Sequence, residues 1–300
     1  MHLININFKK VIAALLAFSF SAFVLCGCSI DEFLYDDSYI TEAELGETEL
    51  RVHYIDVGQG DCALVETKFG NILIDAGTPD SEDEIVEYVD SLGITEFEYA
   101  VFTHPHSDHI GSAAEIVERY TFNNIVLPDA VSTTKIYENL LDAIANEACD
   151  VILGEAGKSF SMGDVFVEIM APGSNYDSDD LNNMSIVAKL TYGDVSFLFT
   201  GDAEKSSEKE ILDMGYDVSA DVLKVGHHGS YTSSCEDFLY AVYPSVAIIS
   251  AGKDNEYGHP HDEVVERLED LGSDMYITYE VGSIIVSTDG EYFSVSTENS

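Results

Sequence analysis

The chain has 300 residues, 46% of them hydrophobic, which is enough for one large domain whose core needs no disulfide or metal staple. Thirteen Lys and Arg stand against 56 Asp and Glu, a formal charge of -43 that argues against an unassisted grip on a long polyanion. No basic stripe with interleaved aromatics relieves that field, and only bound metal would reverse its sign locally.

The N-terminal stretch "NFKKVIAALLAFSFSAFVLCGC" carries Lys9 and Lys10, then an apolar run from Val11 to Leu25. That run is too short and wrongly flanked for a transmembrane helix and reads as a secretory signal. Its ending, Leu25-Cys26-Gly27-Cys28, resembles the bacterial lipobox, which implies cleavage after residue 27 and lipidation of Cys28. An ordinary signal peptide cut nearby and an uncleaved anchor are the alternatives. The expected organisation is a lipoprotein signal peptide over 1–27, an acidic tether over 28–48 and a folded domain over 49–300. The mature protein is then exported and held on the extracellular face of the membrane by its lipid alone. Cys62, Cys149 and Cys235 are odd in number and widely spaced, so they form no disulfide framework and no CxxC zinc pattern.

From Leu50 onward short apolar strands alternate with amphipathic helices. "LRVHYIDV", "CALVET" and "NILIDAG" read as strands, the last two joined at Phe69-Gly70-Asn71, and a helix follows near 80–92. "YAVFTH" is a strand, "IGSAAEIVERY" a helix, and a strand near 124–127, a helix near 132–147 and a strand near 150–153 come next. The second half repeats that logic with strands "DVFVEIMAP", "SIVAKLTYG" and "VSFLFTGD" and the helix "AEKSSEKEILDM". "ADVLKVGHHGS" is a strand and loop, "SVAIISAG" a strand between helices near 235–242 and 261–271, and "MYITYE", "SIIVSTD" and "YFSVSTE" are terminal strands. This pattern implies a layered α/β domain without an internal boundary, with polar residues gathered at strand ends.

Between the fourth strand and its helix lies "FTHPHSDHIGS", with His104, His106, Asp108 and His109 within six positions of a chain that has nine histidines. Pro105 keeps His104 out of helical geometry, so His104 and His106 project to one side of an extended segment. Asp108 and His109 sit where the loop turns into the helix, and all four groups can converge. Imidazole and carboxylate without thiolate form a ligand set for zinc, manganese or iron.

H-x-H-x-D-H after a strand resembles the signature of the metallo-β-lactamase fold superfamily. "LIDAG" with Asp75, "FLFTGD" with Asp202 and "LKVGHHGS" with His227 and His228 are similar to its other motifs. "HYIDVGQGDCALVET", "NNMSIVAKLTYGDVSFLFTGDAE" and "YGHPH" narrow the resemblance to the metallo-hydrolase domain of ComEC/Rec2-type competence proteins, without their channel part. The resemblance implies an αββα four-layer sandwich, one or two divalent metal ions, zinc or manganese, and hydrolysis of phosphoester bonds. His104 and His106 would hold the first metal, Asp108 and His109 the second, and Asp202 would bridge. One of His227 and His228 would complete the second site, and Asp75 would orient the loop.

Many members of the superfamily use a further histidine for the first metal, yet none occurs between residues 110 and 226 here. Asn182, Asn183 and Ser185 cover that gap, and asparagine is a weak, hard ligand, so the first metal is expected to bind loosely or to favour manganese or magnesium. Asp56, Gln59 and Asp61 of "DVGQGD" line the cleft floor or form a tight strand connection. Gly229 and Ser230 offer donors to phosphate or form a simple turn. His259 is assigned to substrate phosphate or the leaving group, which makes Asp108, Asp202 and His259 the expected catalytic residues. The expected partner is a phosphodiester, with DNA or an oligonucleotide among the candidates, acted on by a monomer. An acyl or β-lactam hydrolase, or a surface binding protein with a degenerate metal site, are the alternatives.

Overall fold

A computed structural model describes residues 49–173 and 180–299. The expected signal peptide, the tether and Cys28 lie outside those residues. Among the described residues fifteen strands form two sheets. The first contains β1 (Leu50–Tyr54), β2 (Ala63–Thr67), β3 (Gly70–Ile74), β4 (Glu96–Val101), β5 (Thr121–Leu127) and β6 (Asp150–Leu153). Two late strands, β14 (Ile284–Thr288) and β15 (Phe293–Thr297), extend it beyond β1 in the order β15-β14-β1-β2-β3-β4-β5-β6. Pairing is antiparallel from β15 to β3 and parallel from β3 to β6.

The second sheet contains β7 (Ser159–Met162), β8 (Val165–Ala171), β9 (Val187–Tyr192), β10 (Val195–Phe199), β11 (Val222–Lys224), β12 (Val246–Ile249) and β13 (Asp274–Ile277). Here β7 to β10 pair antiparallel and β10 to β13 parallel. All four residues of β12, VAII, are buried, as expected of a strand covered on both faces.

Three apolar clusters define the layers. Val52, Val65 and Ile74 of the first sheet meet Val167, Leu190 and Phe197 of the second. On the far side of the first sheet, Leu64, Leu73 and Phe97 pack on α1 (Glu82–Ser91), α2 (Ala113–Arg119) and α3 (Lys135–Asn146) through Ile85, Ile116 and Leu140. Leu198, Leu223 and Ala247 cover the far side of the second sheet against α4 (Lys205–Met214), α5 (Glu236–Val242) and α6 (Asp262–Leu271) through Ile211, Phe238 and Leu268. The result is the helix-sheet-sheet-helix sandwich expected from the sequence. Among the described residues no helix is long and apolar enough to cross a membrane.

Two elements differ from expectation. "MYITYE" stops being a strand at Ile277, and Thr278–Val281 forms one helical turn, α7. The buried Thr278 hydroxyl accepts from the Ala251 N–H at 3.1 Å and sits 3.2 Å from the Ala251 carbonyl, taking over the pairing that a further strand residue would supply. Strand β7 pairs with β8 but is only four residues long, too short to show an apolar alternation. Cys62, Cys149 and Cys235 are free thiols.

Candidate metal centre

Parallel pairing of β3 with β4, and of β10 with β11 and β12, brings their C-terminal ends to common sheet edges. Asp75 follows β3, residues 104–109 follow β4, Asp202 follows β10, His227 and His228 follow β11, and Ser250 follows β12. The loops are locked at close backbone approaches. A Cβ on Gly111 would stand 2.2 Å from the Thr78 carbonyl carbon and 2.4 Å from the Ser107 carbonyl oxygen, so only glycine lets the loop after β4 lie against the loop after β3.

Ligand-type atoms of Asp108, His109, Asp202 and His228 all lie within 4.8 Å of one another. His109 Nε2 is 3.1 Å and His228 Nε2 3.7 Å from Asp202 Oδ1, and His228 Nε2 is 3.3 Å from Asp108 Oδ2. Two ligand atoms each about 2.1 Å from one tetrahedral ion stand about 3.4 Å apart, the same spacing. His109 Nε2, His228 Nε2 and Asp202 Oδ1 are buried and have no hydrogen-bond partner, an arrangement that is expensive unless a cation satisfies them together. A second group joins His104, His106 and Asp202. His104 Nε2 faces His106 Nδ1 at 2.9 Å and Asp202 Oδ2 at 3.7 Å. Asp202 thus divides its two carboxylate oxygens between the groups. The donor set fits one or two divalent cations.

Supporting contacts set the ring orientations. Asp75 is buried with φ of 59°, accepts from the Thr103 N–H and hydroxyl at 2.7 Å each, and takes the His109 Nδ1–H at 2.8 Å. His228 donates from Nδ1 to the Ser250 carbonyl at 2.9 Å. The Thr103 hydroxyl proton goes to Asp75, so at 3.2 Å that oxygen can only accept from His104 Nδ1. The Ser185 hydroxyl lies 3.2 Å from the same His104 nitrogen and accepts from the Asp202 N–H at 3.1 Å. In all three histidines Nδ1 donates a proton and Nε2 faces the acidic groups.

The charges reinforce that geometry. Burial alone would raise the carboxyl of Asp202, but His109, His228 and His104 outweigh it and hold it well below the usual range. Burial would likewise discharge His228, yet Asp202 and Asp61 hold it up at about 9. His109 is raised well above its ordinary value, burial being outweighed by Asp202 and Asp75. Carboxylates that draw protons onto neighbouring imidazoles are short of positive charge, which suits divalent cations.

Both members of the His227-His228 pair lie in a tight turn with left-handed backbone, φ 50° and 54°, rather than on a strand end. His228 is buried in the four-residue group. His227 is partly exposed, with Nδ1 3.1 Å from the Thr232 hydroxyl and Nε2 3.6 Å from Asp202 Oδ2. A cleft of about 300 Å³ opens over the centre and is lined by Gln59, His106, Asp108, Asn182, Asp202, His227, His228, Tyr257 and His259. Asn182 presents a buried side-chain oxygen without a partner there, whereas Asn183 accepts from the Glu204 and Ser207 N–H groups at the start of α4. Asp56 accepts from the Gly58 N–H. Ser230 bonds within its own turn, and Gly229, φ 81°, packs its backbone against Pro260. His259 is held low, at about 4, by burial and by His228 and His227.

Sequence reasoning passed over Lys224. This lysine is buried, and its ammonium lies 2.8 Å from Asp61 Oδ2. Asp61 Oδ1 in turn lies 3.2 Å from His228 Nδ1. Burial would raise Asp61, but Lys224, His228 and His109 leave it well below the usual carboxylate range. The only hint in "ADVLKVGHHGS" was a single cation inside an apolar strand.

Residues 55–135 match the Metallo-beta-lactamase superfamily. The chain is 32% identical over 240 residues to ComE operon protein 3 of Bacillus subtilis, covering 74% of this chain and 31% of that protein. It is 30% identical over 266 residues to Recombination protein 2 of Haemophilus influenzae, covering 87% of this chain and 32% of that protein. It therefore spans about a third of the length of these curated relatives. Two solved structures share the fold. The metallo-beta-lactamase fold protein YhfI from Bacillus subtilis has a TM-score of 0.52 at 12% identity, covering 76% of this chain and 96% of that one. CmlA, a diiron beta-hydroxylase from Streptomyces venezuelae, has a TM-score of 0.52 at 16% identity, covering 77% and 53%.

Proposed function

This chain carries a domain of the metallo-β-lactamase superfamily, and from that premise we propose that it is a metal-dependent phosphodiesterase. The observation that carries the reading is Asp202, whose two oxygens each face a separate histidine group while buried ring nitrogens beside it lack partners. His104, His106 and Asp202 would hold one divalent cation, and Asp108, His109, Asp202 and His228 another, zinc and manganese being the candidates. When bound, such ions offset charge developing on phosphoryl oxygens and lower the pKa of water.

The protein's own residues supply the frame. Asp202 fixes the spacing of the two groups, and Asp75 and the Ser250 carbonyl hold His109 and His228 with Nε2 inward. His259, in the same cleft, is the group for the phosphoryl or leaving oxygen. Relatives named for recombination and competence support a nucleic-acid phosphodiester as substrate. The charge of -43 favours short oligonucleotides and small diesters over long duplexes.

Zinc- or manganese-loaded protein is to be assayed against single- and double-stranded DNA, RNA, bis-nitrophenyl phosphate, nitrophenyl phosphorylcholine and a chromogenic cephalosporin. Turnover of diesters but not of the cephalosporin, lost in Asp202→Asn and His109→Ala, is expected. Cephalosporin turnover alone would replace this reading with an acyl hydrolase. The domain is further proposed to act as a monomer on the outer face of the membrane, held by a lipid on Cys28. Cys28→Ala should then move it from the membrane fraction to the medium.

A further inference from the structure

In the loop "DVGQGD" Asp61 touches His228 and Lys224, while Gln59 stands apart from the ligand groups and reaches across to the loop after β12. The Gly252 N–H donates to Gln59 Oε1 at 3.0 Å. A backbone N–H can only donate, so the atom it meets is the amide oxygen, and the amide NH2 is the group that faces His259 Nδ1 at 3.4 Å. That nitrogen must then accept, and a neutral His259 carries its proton on Nε2.

We propose that Gln59 is a positioning residue that holds His259 in the Nε2–H form and so makes it a hydrogen-bond donor in the cleft. The contrast with the metal-facing rings supports this. His109 and His228 keep a proton on Nδ1, through Asp75 and the Ser250 carbonyl, which turns Nε2 toward the ligand groups. His259 is set the opposite way, although its ring centroid is only 5.6 Å from that of His227 and 6.2 Å from that of His228. Among the described residues its Nε2 has no hydrogen-bond partner. An N–H directed at a phosphoryl or leaving oxygen is of use there, whereas a bare nitrogen would compete for the cation. The arrangement is held closely: Asn255 accepts from the His259 N–H at 2.9 Å and donates to its carbonyl at 2.7 Å, and a Cβ on Gly252 would stand 2.8 Å from the Gln59 backbone nitrogen.

The proposal rests on the reading of His259 as a substrate-facing group, and its test is independent of turnover. Zinc-loaded protein carrying 15N-histidine is examined by two-bond proton-nitrogen correlation, with His259→Asn assigning the resonance. The unsubstituted protein is expected to show His259 protonated on Nε2 alone. Gln59→Glu keeps an acceptor for the Gly252 N–H but turns an oxygen toward Nδ1, and should place a proton on Nδ1 at the same pH. Turnover of bis-nitrophenyl phosphate should fall at least about tenfold in kcat, with a smaller change in KM. Gln59→Leu, which removes the donor without adding an acceptor, should release the tautomer and let a measurable share of the protein carry the proton on Nδ1. A proton on Nδ1 in the unsubstituted protein, or an unchanged pattern in Gln59→Glu, overturns the proposal. If the pattern shifts as expected but no phosphodiester is hydrolysed by the unsubstituted protein, the positioning role stands and the phosphodiesterase reading fails.

Discussion

Lys224→Met removes a buried ammonium while keeping most of the side-chain length. Its nitrogen is 2.8 Å from Asp61 Oδ2, and the two side chains are 4% and 7% exposed. Removing one partner of such a pair leaves the other charge buried and uncompensated, at a cost of about 3–5 kcal/mol. For a domain of this size that corresponds to a fall in Tm of roughly 6–20 °C. Lys224→Met/Asp61→Leu should recover a large part of the loss, because the stranded charge goes with its partner.

The pH dependence has a definite sign. The Asp61 carboxyl is depressed in the folded protein, so it contributes stability that is present above its unfolded value of about 3.9 and lost as the pH falls through the folded value. The gap between protein and variant should be widest near neutrality and narrow below about pH 4. Urea unfolding followed by circular dichroism from pH 7 downward measures it. A loss below about 1 kcal/mol at pH 7, or a gap undiminished at the lowest pH at which both fold, refutes the reasoning.

His228→Ala should lose one metal equivalent after dialysis and lower turnover at least about a hundredfold, while His227→Ala keeps its metal; elemental analysis separates the two. His228, held up at about 9, and His109, raised well above its ordinary value, are protonated near neutrality, so zinc must displace those protons. Zinc affinity should therefore climb from pH 6 to about 9, with about one to two protons released per ion at pH 7, and calorimetry in buffers of different ionisation enthalpy reads the release. Affinity independent of pH over that range would contradict the assignment. Gly111→Ala drives a methyl into the backbone of Thr78 and Ser107 and should cost about 1–3 kcal/mol or more, seen as a lower urea midpoint.

The ligand-bearing loops were legible in the sequence because their chemistry is written in side-chain type and spacing, as in His104, His106, Asp108 and His109. The choice between His227 and His228 was not, since it depends on two successive left-handed residues in a turn that neither residue type announces. Ser250 contributes a backbone carbonyl, which every residue possesses, and Gln59 acts through an amide whose orientation is set by Gly252, 193 positions away. Lys224 escaped notice because a lysine in a short strand reads as surface until the partner beneath it is known. The layered α/β character followed from apolar periodicity and the four-layer order from the family resemblance; periodicity fails for elements as brief as β7 and α7.

The centre draws from both sheets: His104, His106, Asp108 and His109 come from the first and Asp202 and His228 from the second. A cation held by both sets would act as a clasp across the sandwich, and its binding energy would become cohesion between the two halves of the chain. At a hundredfold excess over its dissociation constant, one ion would add about 2.7 kcal/mol to that cohesion. Metal supply would then govern the protein's lifetime as well as its chemistry, with the starved protein the first to be opened and degraded.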